Sequence, residues 1–89
     1  MQIQFVKNIQ FTRLIKAEGR LREFNFRKMV ILQETLFSVD VVDDRGNRIM
    51  FRMRKGDNNQ WSIIPQPLPN WVLEQEKQMS EMIEEELHN

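Results

Sequence analysis

Two stretches of period-two alternation, FSVDVVD (Phe37 to Asp43) and RIMFRMR (Arg48 to Arg54), lie only four residues apart. Side chains at period two stay on one side of the backbone only in a strand, so each stretch predicts a half-buried strand. The pair predicts a hairpin. Phe37, Val39 and Val41 must share a face with Ile49, Phe51 and Met53. That requirement sets Val41 opposite Ile49, Val39 opposite Phe51 and Phe37 opposite Met53. Asp43 then faces Asn47, and Asp44, Arg45 and Gly46 form a three-residue loop with the glycine in the left-handed position.

The loop DDRGNR therefore reads as a turn. Asp43 and Asp44 suit it because a short carboxylate bonds to nearby backbone N–H groups. A calcium loop would need regularly spaced oxygen ligands and a closing glutamate on a helix, whereas Arg45 and Arg48 intrude and a strand follows. No metal is expected there.

GRLREFNFRK is a further strand, with Phe24 and Phe26 on one face and Glu23, Asn25 and Arg27 on the other. Ile9, Phe11 and Ile15 come beside those phenylalanines if the intervening turn has two or four residues, and Glu18-Gly19 is its natural centre. Ile3 and Phe5 keep the same alternation, which fits one long first strand or two parted near Asn8. MVILQETL (Met29 to Leu36) follows no single period. It suits a bulged extension of the second strand, a short buried turn, a cover for a sheet edge, or a dimer contact.

KGDNNQW reads as a loop, after which Trp61 and Ile63 resume the apolar face opposite Met53 and Phe51. The three prolines of PQPLPN make an extended connector. Asn70 is placed to cap a helix running from Trp71 to about Leu87, a stretch rich in Glu, Gln, Met and Leu with no glycine or proline. Val72, Met79, Ile83 and Leu87 fall within about 80° of arc, with Met82 beside them, and this stripe should lie on the sheet. Trp71 falls at the helix margin. Glu76 falls inside the stripe, where its charge must either reach out along the rim, the favoured reading, or meet an arginine from the strands.

The expected fold class is thus α+β: an antiparallel meander of four to five strands with one C-terminal α-helix packed on one face. Residues 1–89 are read as a single domain, and a chain this short buries only about 60–65% of its unfolded surface. With no cysteine, disulfides, thiolate zinc sites and cysteine nucleophiles are excluded. The N-terminus lacks a basic stretch leading into an apolar run, and no eighteen consecutive residues are apolar, so the expectation is a cytoplasmic protein without a membrane segment.

Catalytic candidates are sparse. His88, the only histidine, stands next to the last residue. Ser38, Ser62 and Ser80 fall in strand, strand and exposed helix, with no histidine to activate them. Gly19, Gly46 and Gly56 are isolated in turns and form no phosphate loop. Glu84, Glu85 and Glu86 sit together on a solvated helix end. The reading is non-catalytic, with no cofactor and no small-molecule substrate.

Charge is uneven along the chain. Residues 1–69 hold twelve Lys and Arg against seven Asp and Glu, a net +5; residues 70–89 hold one against six, a net −5. Mutual neutralisation is the favoured reading, and a nucleic-acid or protein partner the other. On the outer side of the sheet, Arg27, Arg48, Arg52 and Arg54 share one face. A basic sheet can hold a phosphate backbone, but the strand phenylalanines and Trp61 fall on the inner face, where they cannot stack on bases. Asp40 and Glu23 dilute the positive face further, so a solvated surface laced with ion pairs is favoured over single-stranded nucleic acid.

A strand meander followed by a helix resembles, in topology, the repeat of PUR-type proteins and the core of positive-cofactor-like single-strand binders. The resemblance implies assembly in pairs; no motif in LREFNFRK or RIMFRMR assigns a binding residue. Self-association has separate support, since Leu14, Val42, Met50 and Ile64 all point outward in this register. Glu84 to Glu86 also crowd the negative end of the helix dipole, where cations from a partner or from the same sheet would relieve them. The expected role is a small interaction module that forms a homodimer or takes another protein partner.

Overall fold

The computed structural model describes residues 8–88. It is an α+β fold in which five antiparallel strands are hydrogen-bonded in chain order: β1 (Gln10–Ala17), β2 (Arg20–Ile31), β3 (Glu34–Val42), β4 (Arg48–Lys55) and β5 (Trp61–Ile63). Two helical pieces, α1 (Asn70–Leu73) and α2 (Glu76–Leu87), cover one face. Ile3 and Phe5, and with them the choice between one first strand and two, lie outside the described residues. The ladder can be followed back to Ile9, whose carbonyl accepts the Lys28 N–H at 2.9 Å.

The β3–β4 register is the one that parity requires: Val41 faces Ile49, Val39 faces Phe51 and Phe37 faces Met53. In the loop, the Asp43 N–H donates to the Asn47 carbonyl at 2.9 Å, and Gly46 has φ +84°. Asp43 acts as expected of a turn residue, its Oδ1 accepting from the N–H groups of Arg45 and Asn47. Asp44 does not. Its carboxylate instead takes Arg20 and Arg22 from across the sheet, each at 2.9 Å.

At Ala17–Arg20 the chain turns on Glu18 and Gly19 alone, with φ +51° and +77°, a pairing that matches the twist of the two strands. The stretch Met29 to Leu36 is a second two-residue turn, not a bulge or a buried turn. Strand β2 runs on to Ile31, Leu32 and Gln33 turn with φ +50° and +66°, and β3 starts at Glu34. Neither turn residue is glycine, and both occupy the left-handed region, which costs an ordinary side chain roughly 1–2 kcal/mol. That is why the local pattern hides it.

Inner-face residues of all five strands, including Phe24, Phe26, Phe37, Val39, Phe51 and Met53, form one core with Trp71, Val72, Met79, Met82 and Ile83. Phe11 stacks on Phe26 at 4.6 Å, and Phe37 meets Trp61 edge-on at 5.1 Å. Three expectations need correction. Strand β5 is displaced by two residues from the expected register, with Ile63 opposite Met53 and Trp61 opposite Lys55; parity survives. The helix breaks at Glu74 and Gln75 although neither is a helix breaker. Asn70 is the first residue of α1 and caps nothing, the Pro69 carbonyl accepting from the N–H groups of Val72 and Leu73.

Packing accounts for the break. Trp71 is buried, edge-on to Phe24 and with the Arg22 guanidinium 4.4 Å above its ring. Tertiary contact of this size overrides helix propensity, which is worth tenths of a kcal/mol per residue. Arg22 itself is 6% exposed. Its Nε donates to the Ala17 carbonyl and its Nη1 to Asp44, so a charge on the inner face has ring, carbonyl and carboxylate partners together.

Helix α2 is fastened to the sheet edge by side chains one turn apart. Glu76 Oε2 accepts the Ile63 N–H at 2.8 Å, Ser80 Oγ accepts the Trp61 N–H at 2.9 Å, and Glu84 Oε1 accepts the Trp61 indole N–H at 3.1 Å. Glu76 therefore does not reach out along the rim, and Ser80 is buried rather than exposed. Both supply what a sixth strand would.

Two outcomes are expected. Exchanging Leu32-Gln33 for Asn-Gly should raise the urea midpoint, with a gain of about 1–2 kcal/mol; no rise would mean that the turn is unstrained. Glu76→Ala should strand the Ile63 N–H and cost about 1–3 kcal/mol, while Glu76→Gln retains an acceptor and costs less. Equal losses for the two in thermal melts would exclude the hydrogen bond as the cause.

Candidate functional site

The face of the sheet away from the helices is uncovered among the described residues. Successive ladder rows lie across it: Met29–Leu36–Arg54, Arg27–Ser38–Arg52, Asn25–Asp40–Met50 and, from β3 to β4, Val42–Arg48. On the β1 side Thr12 joins the Asn25 row, and Leu14 lies beside Glu23.

The Asn25 row is a hydrogen-bonded chain. Thr12 Oγ1 donates to Asn25 Oδ1 at 2.7 Å, Asn25 Nδ2 donates to Asp40 Oδ1 at 3.1 Å, and Arg48 Nη1 reaches the same oxygen at 3.4 Å. Asp40 thus holds Arg48. Arg27, Arg52 and Arg54 are exposed and form no salt bridge among the described residues. The four arginines singled out from the sequence therefore divide: one is neutralised, and three remain on the half of the face nearest the Leu32-Gln33 turn.

That half is concave. A trough of about 810 Å³ is lined by Ile31, Leu32, Leu36, Arg52, Arg54 and Ile64, among others, and adjoins a second hollow of about 480 Å³ through Ser38 and Met50. Leu36 is an outward residue by parity yet only 5% exposed, so it belongs to the floor of the trough. Leu32 stands at its end with 96% of its surface exposed. Glu34 is the one carboxylate in the lining. The neighbouring edge is closed to further strands because Gln66 Nε2 donates to the Met50 carbonyl at 3.0 Å, beside the prolines of the connector.

Of the apolar residues expected to face outward, Leu14, Val42 and Met50 are exposed, while Ile64 is half-buried in the trough. Leu21, 64% exposed, joins Leu14 and Val42 at the opposite end of the face. Sequence reasoning missed Ile31, Leu32 and Leu36, because their place depends on a turn without glycine. It also missed Arg22, although period two puts Arg22 on the face of Phe24 and Phe26, and a charge there demands partners.

The acidic end of α2 is relieved within the chain. Arg13 lies 3.6 Å from Glu85 and 3.4 Å from Glu86, and Lys55 lies 2.9 Å from Glu84. These pairs remove the helix end as an argument for a partner. The Lys55 hydrogen bond, with help from the Trp61 indole and His88, holds the Glu84 carboxyl below its ordinary range. Hydrogen bonds from Arg22 do the same for Asp44, and the Asn47 N–H does so for Asp43.

His88 has Glu84 as its neighbour, and Ser80 is committed to Trp61. Among the described residues no three or more His, Asp or Glu side chains are grouped to hold a metal ion, and no helix is long and apolar enough to cross a membrane.

In comparisons with known proteins the chain matches no family model, no curated protein and no solved structure. The likeness to PUR-type repeats therefore rests on the order of elements alone.

Depressed carboxyl values fix the sign of the acid response. The stability that Asp43, Asp44 and Glu84 contribute is complete above their unfolded values and is lost as pH falls through their folded ones, from about pH 5 downward. Asp44→Asn should lower stability at neutral pH and flatten this acid limb. Urea midpoints at neutral and acid pH test it, and an unchanged difference between them would refute it.

Proposed function

We propose that the protein is a non-catalytic interaction module whose working surface is the open face of the sheet, and that two copies meet there. The observation that carries this reading is the exposure of Leu14, Leu21, Val42 and Met50, between 45% and 64%, on the side of the sheet that no helix covers. The four longer strands, eight or more residues each and about 4.8 Å apart, present a face of roughly 500 Å². Side-chain relief enlarges it toward the about 800 Å² per partner of an ordinary interface. The ion-paired Asp40–Arg48 row across the middle supplies the polar component that such interfaces carry. Without cysteine the module suits a reducing compartment, and we place it in the cytoplasm.

Binding of single-stranded nucleic acid through Arg27, Arg48, Arg52 and Arg54 is the second reading. The three unpaired arginines favour it. Against it stand the engagement of Arg48 by Asp40 and the inward position of Phe24, Phe26, Phe37, Phe51 and Trp61, which leaves that face without a stacking platform.

Sedimentation velocity over a range of concentrations tests self-association. A dimer is expected that Val42→Glu together with Leu14→Lys reduces to a monomer, with the circular-dichroism spectrum retained because both sites are exposed. A wild-type chain that remains monomeric at millimolar concentration would reject the dimer.

A further inference from the structure

We propose that the trough at the Leu32 end of the open face receives an extended acidic segment of a partner protein, patterned apolar-x-acidic-x-acidic-x-apolar. The proposal rests on the reading of that face as a protein-contact surface and names the kind of partner its basic half takes.

Along the strand direction from the turn, the trough presents four levels. Leu32 and Ile31 come first, then Arg54 beside Leu36, then Arg52 beside Ser38 and close to Ile64, and last Met50. Residues two apart on a strand are about 7 Å apart, and so are alternate side chains of any extended peptide lying along it. An extended segment of about seven residues, roughly 20 Å long, therefore sets two carboxylates over Arg54 and Arg52 and an apolar side chain at each end. Arg27, across Ser38 from Arg52, adds a third cation beside the inner carboxylate.

The charge balance selects this occupant. Three arginines have no carboxylate partner among the described residues, against Glu34 alone in the lining. Guanidinium groups take carboxylates in paired hydrogen bonds, and the low-lying apolar floor at Leu36 strengthens them by excluding water. A nucleic acid would satisfy the arginines but leave Leu32, Ile31, Ile64 and Met50 without partners and find no ring to stack on.

The turn adds an independent observation. Leu32 is almost fully exposed on a backbone that disfavours it, so the chain tolerates strain to hold an apolar side chain at the mouth of the trough. Other non-glycine residues here also adopt a positive φ, but Leu32 is the one that is a large apolar side chain in water, and strain held at such a residue is a mark of functional constraint.

Fluorescence anisotropy with labelled Leu-Ser-Glu-Ser-Glu-Ser-Leu tests the proposal, beside the same peptide carrying Gln for Glu and an oligothymidylate of about twenty nucleotides. The glutamate peptide should bind, more weakly as salt rises, and lose tenfold or more on its Glu-to-Gln exchange or with Arg52→Glu plus Arg54→Glu in the protein. The Asn-Gly exchange at Leu32-Gln33 should weaken binding while the urea midpoint rises. A purely structural role for the turn would not produce that opposition. Equal binding of the two peptides, preference for the oligothymidylate, or no binding up to about 1 mM peptide would overturn it. The titrations use protein below the concentration at which it dimerises, so that a second copy does not cover the trough. If the chain dimerises at higher concentration while the peptide fails at the lower one, only this proposal falls. If it remains monomeric as well, the reading of the face falls with it.

Discussion

Two-residue turns leave a hairpin no freedom of register, and this fold has two of them in succession. With Ala17 tied to Arg20 and Ile31 tied to Glu34, strands β1, β2 and β3 are locked so that every second side chain is committed to one face. A slip of one residue would turn Phe24, Phe26 and Phe37 into water. At about 1.5–3 kcal/mol for each buried phenylalanine, that is roughly 4–9 kcal/mol, comparable with the whole stability of an ordinary domain. Such a penalty is about twice the roughly 2–4 kcal/mol of strain at Leu32 and Gln33 together, which is how a leucine and a glutamine can occupy a turn that favours asparagine and glycine.

Once faces are assigned, the helix has to solve a problem that the strands leave behind. Strand β5 is three residues long and stands at the sheet edge, with N–H groups facing outward. Side chains at i, i+4 and i+8 of α2 meet those donors and the Trp61 indole. The same three positions draw the helix axis toward β5, so Met79 and Ile83 lie on the core and Lys55 comes within reach of Glu84. Edge protection and helix docking are one arrangement here. A further strand is excluded from this side without any need for an inward-pointing charge.

Period two made the inner face and the DDRGNR loop legible, and the 3.6-residue period the helical stripe, because each follows from side-chain direction on a regular element. Val39, Phe51 and Met79 needed nothing more than counting. Residues whose place depends on another element were not legible. Gly19 announced its turn, whereas Leu32 and Gln33 carry no local signal, so the trough they end could not be drawn and Leu36 had no assigned environment. Glu76 and Ser80 were misplaced for a related reason. A polar residue at the helix–sheet margin reads as solvated until the unpaired edge it faces is known. Trp71 moved from margin to core because Arg22 and Phe24 on β2 received it.

Neutral total charge conceals a directional surface. Arg13 and Lys55 are consumed by Glu84, Glu85 and Glu86 at the helix margin, and Arg20 and Arg22 are consumed by Asp44 at the far end of the sheet. Asp40 takes Arg48 in the middle. Internal pairing thus takes up the arginines at the helix margin, at the Asp44 end and in the middle of the sheet. Of the cations that form no salt bridge among the described residues, Arg27, Arg52 and Arg54 lie together around Ser38 on the outer face, where Leu36 is covered and Leu32 is not. Arginines placed only for solubility have no reason to border an apolar hollow. A carboxylate from outside the chain would complete there the pattern that Asp44 and Asp40 complete elsewhere on the same sheet.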